Sequence, residues 1–165
     1  MQISKEGIDL IKGFEGCQLA AYRDSNGVPT IGYGHTNGVS MGTAITQAQA
    51  DTFLFDDLEQ FETYVNDHVT IPLTQHQFDA LVSFTYNLGP GTLYHSSVLT
   101  HTNAGQFYQA ADAILQYDHA GGEKLLGLTR RREAERRLYL MPDDIAPTPP
   151  PDSLLKRFIL WYTRV

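Results

Sequence analysis

A chain of 165 residues with 42% hydrophobic and 19% charged side chains fits one domain, or one domain with two lobes, and holds enough apolar material for a core. Its net charge is −7, and from Asp24 to Glu123 it carries eleven acids and all six histidines but no Lys or Arg, so it lacks the broad basic face that nucleic-acid binding needs. The single cysteine, Cys17, excludes an intrachain disulfide, no Cys/His cluster has zinc-ligand spacing, and no apolar run reaches the roughly 20 residues of a membrane span.

The first segment, MQISKEGIDLIKG, lacks the basic region and apolar core of a signal peptide. Ile3, Ile8, Ile11 and Phe14 recur at helical steps after Ser4, a natural N-cap, and the glycines at 13 and 16 predict an end near Glu15. From about Leu19 to His35 the β-formers Tyr22, Val28, Ile31 and Tyr33 predict strands, with Asn26-Gly27 as a tight hairpin turn and Pro29 at a strand start or edge. Cys17, just before them, reads as a small half-buried core residue.

Helices dominate the chain beyond these strands. Thr46 to Gln49 is a capping box, and Ala50, Leu54, Leu58, Phe61 and Val65 share one face after it. Thr74 to Gln77 is a second box, continued by Phe78, Leu81, Val82 and Thr85 and stopped by Gly89-Pro90. Helical patterns return over 106–116 and 129–140. The fold class is therefore α+β: a small N-terminal β-hairpin lobe and a larger helical lobe joined by a long helix. Residues 1–141 read as one domain. Residues 142–152, rich in proline, read as a stiff linker, and 153–165 as a C-terminal amphipathic helix with Ser153 as cap. That helix is expected mainly to pack on protein, with contact to an anionic membrane as a secondary role.

Glu15, Asp24 and Thr30 are the chemistry-bearing residues of the first lobe. A carboxyl in the last turn of a helix, beside Phe14, sits where its protonated form is favoured; Asp24, at a polar turn, sits where ionisation is. Two carboxyls in unlike environments are the acid/base pair of glycoside hydrolysis. Thr30 lies on the opposite strand, where its hydroxyl can orient a water against Asp24. The plain alternatives are a capping or surface acid for each carboxyl and a strand-forming role for Thr30.

The order Glu, eight residues, Asp, five residues, Thr, together with TIGYGHT, resembles the phage-type lysozymes, the endolysin muramidases of tailed bacteriophages. SFTYNLGPG, from Ser83 to Gly91, resembles that family's helix-end segment, and GLTRRREAE, from Gly127 to Glu135, resembles its Gly-Leu-x-x-Arg-Arg-x-x-Glu stretch. The resemblance covers about residues 4 to 140. It implies a lysozyme-like fold and hydrolysis of the β-1,4 bond from N-acetylmuramic acid to N-acetylglucosamine in peptidoglycan, with inversion and without cofactor or metal. Glu15 matches the general acid, Asp24 the second carboxylate, and Thr30 the hydroxyl that helps hold the attacking water. The implied setting is synthesis in a host cytoplasm, release through a phage holin, and attack on periplasmic peptidoglycan. The acidic charge departs from the many basic relatives and predicts weak long-range attraction to an anionic wall.

Other residues carry plainer expectations. His35 reads as a structural hydrogen bond or ion pair. Asn87 reads equally as a helix-end residue and as a substrate contact. Arg131 and Arg132 read as an ion-pair network reaching acids at the lobe interface, and His68 and His76 as solvated helix-end residues. Two other functions fit parts of the pattern. A lytic transglycosylase cleaves the same bond, but has no use for a water-holding Asp24 and Thr30. A wall-binding module without activity has no use for all three residues.

Overall fold

The structure, a computed structural model, describes residues 1–142. The expectations for residues 143–165, which cover nearly all of the linker and the whole C-terminal helix, fall outside the described residues.

Helix α1, Lys5–Glu15, begins at Ser4, whose side chain accepts from the Glu6 and Gly7 amides. Ser4 also anchors the helix: its amide donates to Asp79 Oδ1 at 2.9 Å and its hydroxyl to Oδ2. The helix passes so close to Asp79 that a Cβ on Gly7 would meet Asp79 Cβ at 2.8 Å, so only glycine fits this crossing.

Strands β1, Gln18–Arg23, and β2, Pro29–Gly32, form the antiparallel hairpin, with Tyr22 opposite Thr30 and Arg23 opposite Pro29. Its turn is longer than a two-residue Asn-Gly link. The Asp24 amide donates to Val28 O at 3.0 Å, the Gly27 amide donates to Asp24 O at 3.0 Å, and Gly27 has φ 80°. This is a three-residue loop whose last position needs the left-handed region, which Gly27 supplies. The other edge of β1 pairs with the segment around Ala44: the Ala21 amide donates to Thr43 O and the Ile45 amide to Leu19 O, each at 2.9 Å.

Helix α2, Gln47–His68, and helix α3, Gln75–Leu88, each start with the expected capping box. At 22 residues, α2 spans about 33 Å and links the lobes. Its face divides: Ala50, Leu54, Leu58 and Val65 are buried, while Phe61 is only half-buried. Helix α3 is buried on nearly every side from Gln77 to Thr85, as a helix surrounded by others must be.

Two short helices escaped the sequence reading: α4, Pro90–His95, and α5, Ser97–Asn103. Gly89-Pro90 does end α3, but Pro90 also opens α4, because a first-turn proline costs no hydrogen bond. Helix α6, Phe107–Ile114, precedes a second unforeseen hairpin, β3 His119–Ala120 with β4 Glu123–Lys124. Helix α7, Leu126–Tyr139, then packs along α3 and closes the lobe. The core joins Ile8 and Ile11 of α1 to Leu81, Phe84, Leu93, Val98, Ile114 and Leu138. Cys17 packs half-buried against it. Among the described residues, no helix is long and apolar enough to cross a membrane.

Candidate active site

A cleft cavity of about 400 Å³ is lined by Glu15 from α1, by Tyr33, Thr36 and Asn37 after β2, by Asp57 and Phe61 of α2, and by Tyr86 and Asn87 of α3. Its walls come from both lobes. Tyr86 ties them together by donating from its hydroxyl to Tyr33 O at 2.8 Å, and burial pushes its phenol well above the usual range, so it stays a neutral donor.

Glu15 is 23% exposed at its side chain and accepts from Arg131 Nη1 at 2.6 Å. Arg131 in turn is fixed from below. Its Nε donates to Glu135 Oε1 at 3.2 Å, its Nη2 donates to Ser83 O at 3.4 Å, and its guanidinium lies 5.7 Å from the Phe14 ring centre. Arg132 completes the group: Nη2 donates to Glu135 Oε1 at 2.8 Å and to Asn87 Oδ1 at 3.0 Å. Its Nε lies 2.8 Å from Glu135 Oε2, in ion-pair contact but not aligned for a hydrogen bond. The Ser83 hydroxyl donates to the same Glu135 Oε1 at 2.8 Å.

Arg131, Arg132 and Glu135 are 3%, 0% and 0% exposed. Burial pushes the Glu135 carboxyl up and the Arg132 guanidinium down, while their mutual attraction opposes both shifts. Two guanidiniums thus face two carboxyl groups, Glu135 below and Glu15 at the cleft. The expected network at the lobe interface exists. Glu135 is the member that sequence reasoning left out, although its spacing of three and four residues from the two arginines on one helix was the available signal.

Asp24 and Thr30 lie on the hairpin. Asp24 Oδ1 accepts from the Asn26 amide at 2.9 Å and the Val28 amide at 2.8 Å; Oδ2 takes no part in these bonds. Thr30 is 3% exposed and donates from its hydroxyl to Val28 O at 3.0 Å. The register sets Thr30 opposite Tyr22, two residues before Asp24; Asp24 takes the Val28 amide and Thr30 the Val28 carbonyl, and neither lines the cleft cavity.

His35 makes the structural hydrogen bond expected of it. Nδ1 lies 2.9 Å from Asp57 Oδ2, Nε2 lies 2.9 Å from Asn37 O, and the ring stacks on Phe53. Asn87 stands near the end of α3, accepts from Arg132 and lines the cleft. His68 and His76 differ from expectation. Both are half-buried; His68 stacks on Tyr64, and His76 reaches Glu6 at 3.2 Å. Among the described residues, no group of three or more His, Cys, Asp or Glu is placed to hold a metal ion.

The family model for phage lysozyme matches residues 12–135. The chain is 44% identical over 146 residues to an endolysin of Bacillus phage B103, covering 85% of this chain and 54% of that one. It therefore spans about half the length of that relative. It is 42% identical over 145 residues to an endolysin of Salmonella phage P22, covering 85% of this chain and 99% of the relative. Among solved structures, the muramidase domain of SpmX from Asticcacaulis excentricus superposes with a TM-score of 0.82 at 41% identity, over 86% of this chain and 99% of that one.

Proposed function

The chain belongs to the phage lysozyme family, and from that premise we propose that it is an endolysin hydrolysing the β-1,4 bond between N-acetylmuramic acid and N-acetylglucosamine in peptidoglycan. The observation that carries this reading is Glu15, a carboxyl on the wall of an open cleft between two lobes, held by a buried guanidinium.

In the proposed reaction Glu15 gives its proton to the glycosidic oxygen as the bond breaks. A water attacks the anomeric carbon from the opposite face and loses its proton to Asp24, with inversion. The two backbone amides on Oδ1 keep the Asp24 side chain from turning away, which leaves Oδ2 as the oxygen for that water. Thr30 has spent its proton on Val28 O, so its hydroxyl would serve the water as an acceptor. No step in this scheme uses a cofactor.

The setting comes with the reading: accumulation in a host cytoplasm, holin-dependent release, and attack on peptidoglycan beyond the membrane. The domain division into a catalytic unit of 1–141, a linker of 142–152 and a helix of 153–165 stays part of the proposal.

The deciding experiment is mass spectrometry of digested peptidoglycan. Free reducing N-acetylmuramic acid ends are expected. Ends with a 1,6-anhydro ring would assign a lytic transglycosylase instead, and undigested glycan would leave only a binding module.

A further inference from the structure

One stripe of α2 leaves the cleft and continues beyond it. Asp57 and Phe61 line the cavity, and Tyr64 and His68 come at the next helical steps on the same side. Aromatic contacts hold the stripe in two groups. Phe61 meets the cleft residue Tyr86 edge-on with ring centres 5.2 Å apart. Tyr64 stacks on His68 at 4.0 Å, and His68 meets Tyr94 of α4 edge-on at 5.5 Å. The His68 ring is held in place because its Nδ1 donates to Tyr64 O at 2.8 Å.

Tyr94 closes the series and is 55% exposed, with His95 exposed beside it and 5.0 Å away between ring centres. An ordered aromatic series that ends in an exposed ring has an apolar face to offer. We infer that Tyr94, backed by the His68 and Tyr64 rings, forms an accessory glycan-binding track, which stacks on a sugar ring of the same peptidoglycan strand where it leaves the cleft. This inference rests on the proposed muramidase reading for the strand's identity.

Three observations select that occupant. The track starts one helical step beyond the cleft, since Tyr64 follows the cleft residue Phe61 on the same side of α2. Phe61 and His68 are seven residues apart on one helix, about 10 Å along its axis, similar to one disaccharide repeat of a β-1,4-linked chain. And from Asp24 to Glu123 the sequence has no Lys or Arg, so an anionic polymer gains nothing from fixed cations here. What remains is the hydrophobic C–H face of a pyranose against the Tyr94 ring, with its hydroxyl left for sugar hydroxyls. An acidic lysozyme without long-range attraction to the wall would retain its polymer through such short-range contacts.

The test uses the full chain with Tyr94→Ala. Retention on insoluble purified sacculi is measured in a Glu15→Gln background, so that no digestion occurs. KM on sacculi is measured in the active background. The expected result is a roughly two- to tenfold loss of retention and a similar rise in KM, with kcat kept. Turnover of a short soluble glycan that fills only the cleft should not change. Tyr94→Trp should restore retention. Tyr108→Ala, at an exposed tyrosine of α6 off the stripe, should have no effect.

Unchanged retention and KM for Tyr94→Ala would overturn the track. So would an equal loss for Tyr108→Ala, which would mean general surface adhesion. Failure of the muramidase reading would look different, because the parent protein itself would release no reducing ends while the retention comparison still returned its own answer.

Discussion

Glu15 and Asp24 stand nine residues apart in the chain, yet the two lobes hold them by different means. Glu15 leans on side chains brought from far away: Arg131 is 116 residues along the sequence, and behind it lie Glu135 and Ser83 in a buried polar group. Asp24 is held by the amides of Asn26 and Val28, within its own turn. In the proposed reaction, the acid that meets the leaving oxygen is held by a buried polar group of the helical core. The carboxylate assigned to a mobile water is carried by a small hairpin that needs only local contacts. The first arrangement should therefore be lost only on global unfolding, and the second already on local fraying of the hairpin.

The largest effect expected on this comparison is catalytic. Glu15→Gln keeps the shape and the contact with Arg131 but has no proton to donate, so hydrolysis of purified peptidoglycan should fall at least about 10²- to 10⁴-fold. Because the side chain is partly exposed, the melting temperature should stay close to that of the parent. Near-normal lysis by the purified variant would remove Glu15 from its role.

Glu135→Gln should reverse that pattern. It leaves two guanidiniums buried with no countercharge beneath them, and breaking such a group costs about 3–5 kcal/mol. Denaturant unfolding would read this directly. Activity should then fall in the folded protein as well, since Arg131 loses the partner that aims it at Glu15. A loss of activity with unchanged stability would mean that Glu135 acts on the reaction rather than on the fold.

The hairpin side predicts coupling instead. Asp24→Asn, Thr30→Ala and the double variant form one cycle. If both residues hold one water, the losses should fall short of additive by about 0.5–3 kcal/mol. Fully additive losses, with substantial hydrolysis left in each single variant, would break the assignment of a shared water.

These contrasts also mark how far the sequence could be read. The caps at Ser4, Thr46 and Thr74 are local devices and stand where the spacing of their residues put them, while the turn at Asn26-Gly27 is in place but one residue longer than a two-residue link. Asp24 and Thr30 belong to that local part. Helices α4 and α5 are six and seven residues long, too short for an apolar period to emerge, and Gly89-Pro90 reads as a stop without revealing a restart. The hairpin of β3 and β4 has two residues in each strand and depends on side chains from outside it. Glu15 was legible as a candidate and Arg131 as an ion-pair residue, but not that the two pair, because nothing in a single sequence aligns position 15 with position 131. Phe61 looked like core by period alone, and became a cleft residue because the lobes part along that side of α2.

The second hairpin gives the smallest effect and a test of how acids hold turns in this fold. Asp118 is 4% exposed and binds Lys124 Nζ at 2.8 Å, His119 Nδ1 at 2.6 Å and the Thr129 hydroxyl at 3.1 Å. Unlike Asp24, it closes its turn through charged side chains. The hydrogen bond from Lys124 is the main cause that holds the Asp118 carboxyl below the usual range, and the same bond raises Lys124 above its own. A depressed carboxylate contributes stability above its unfolded value, about 3.9, and loses it as pH falls through the lower native value. A raised lysine contributes below its unfolded value, about 10.4, and loses it as pH rises through the higher native one. The hairpin should thus be most protected between those limits and weaken on both sides. Lys124 is 61% exposed at its side chain, so solvent screens the pair and the slopes should be shallow. Amide hydrogen exchange at residues 119–125, tracked in steps from about pH 5 to about pH 3, would show the acid limb. Asp118→Asn should flatten it, while the turn around Asp24 keeps its own response. Identical acid limbs in the parent and the variant would mean that the backbone bond from the Leu125 amide to Asp118 O, at 2.9 Å, closes this hairpin without help from the charge.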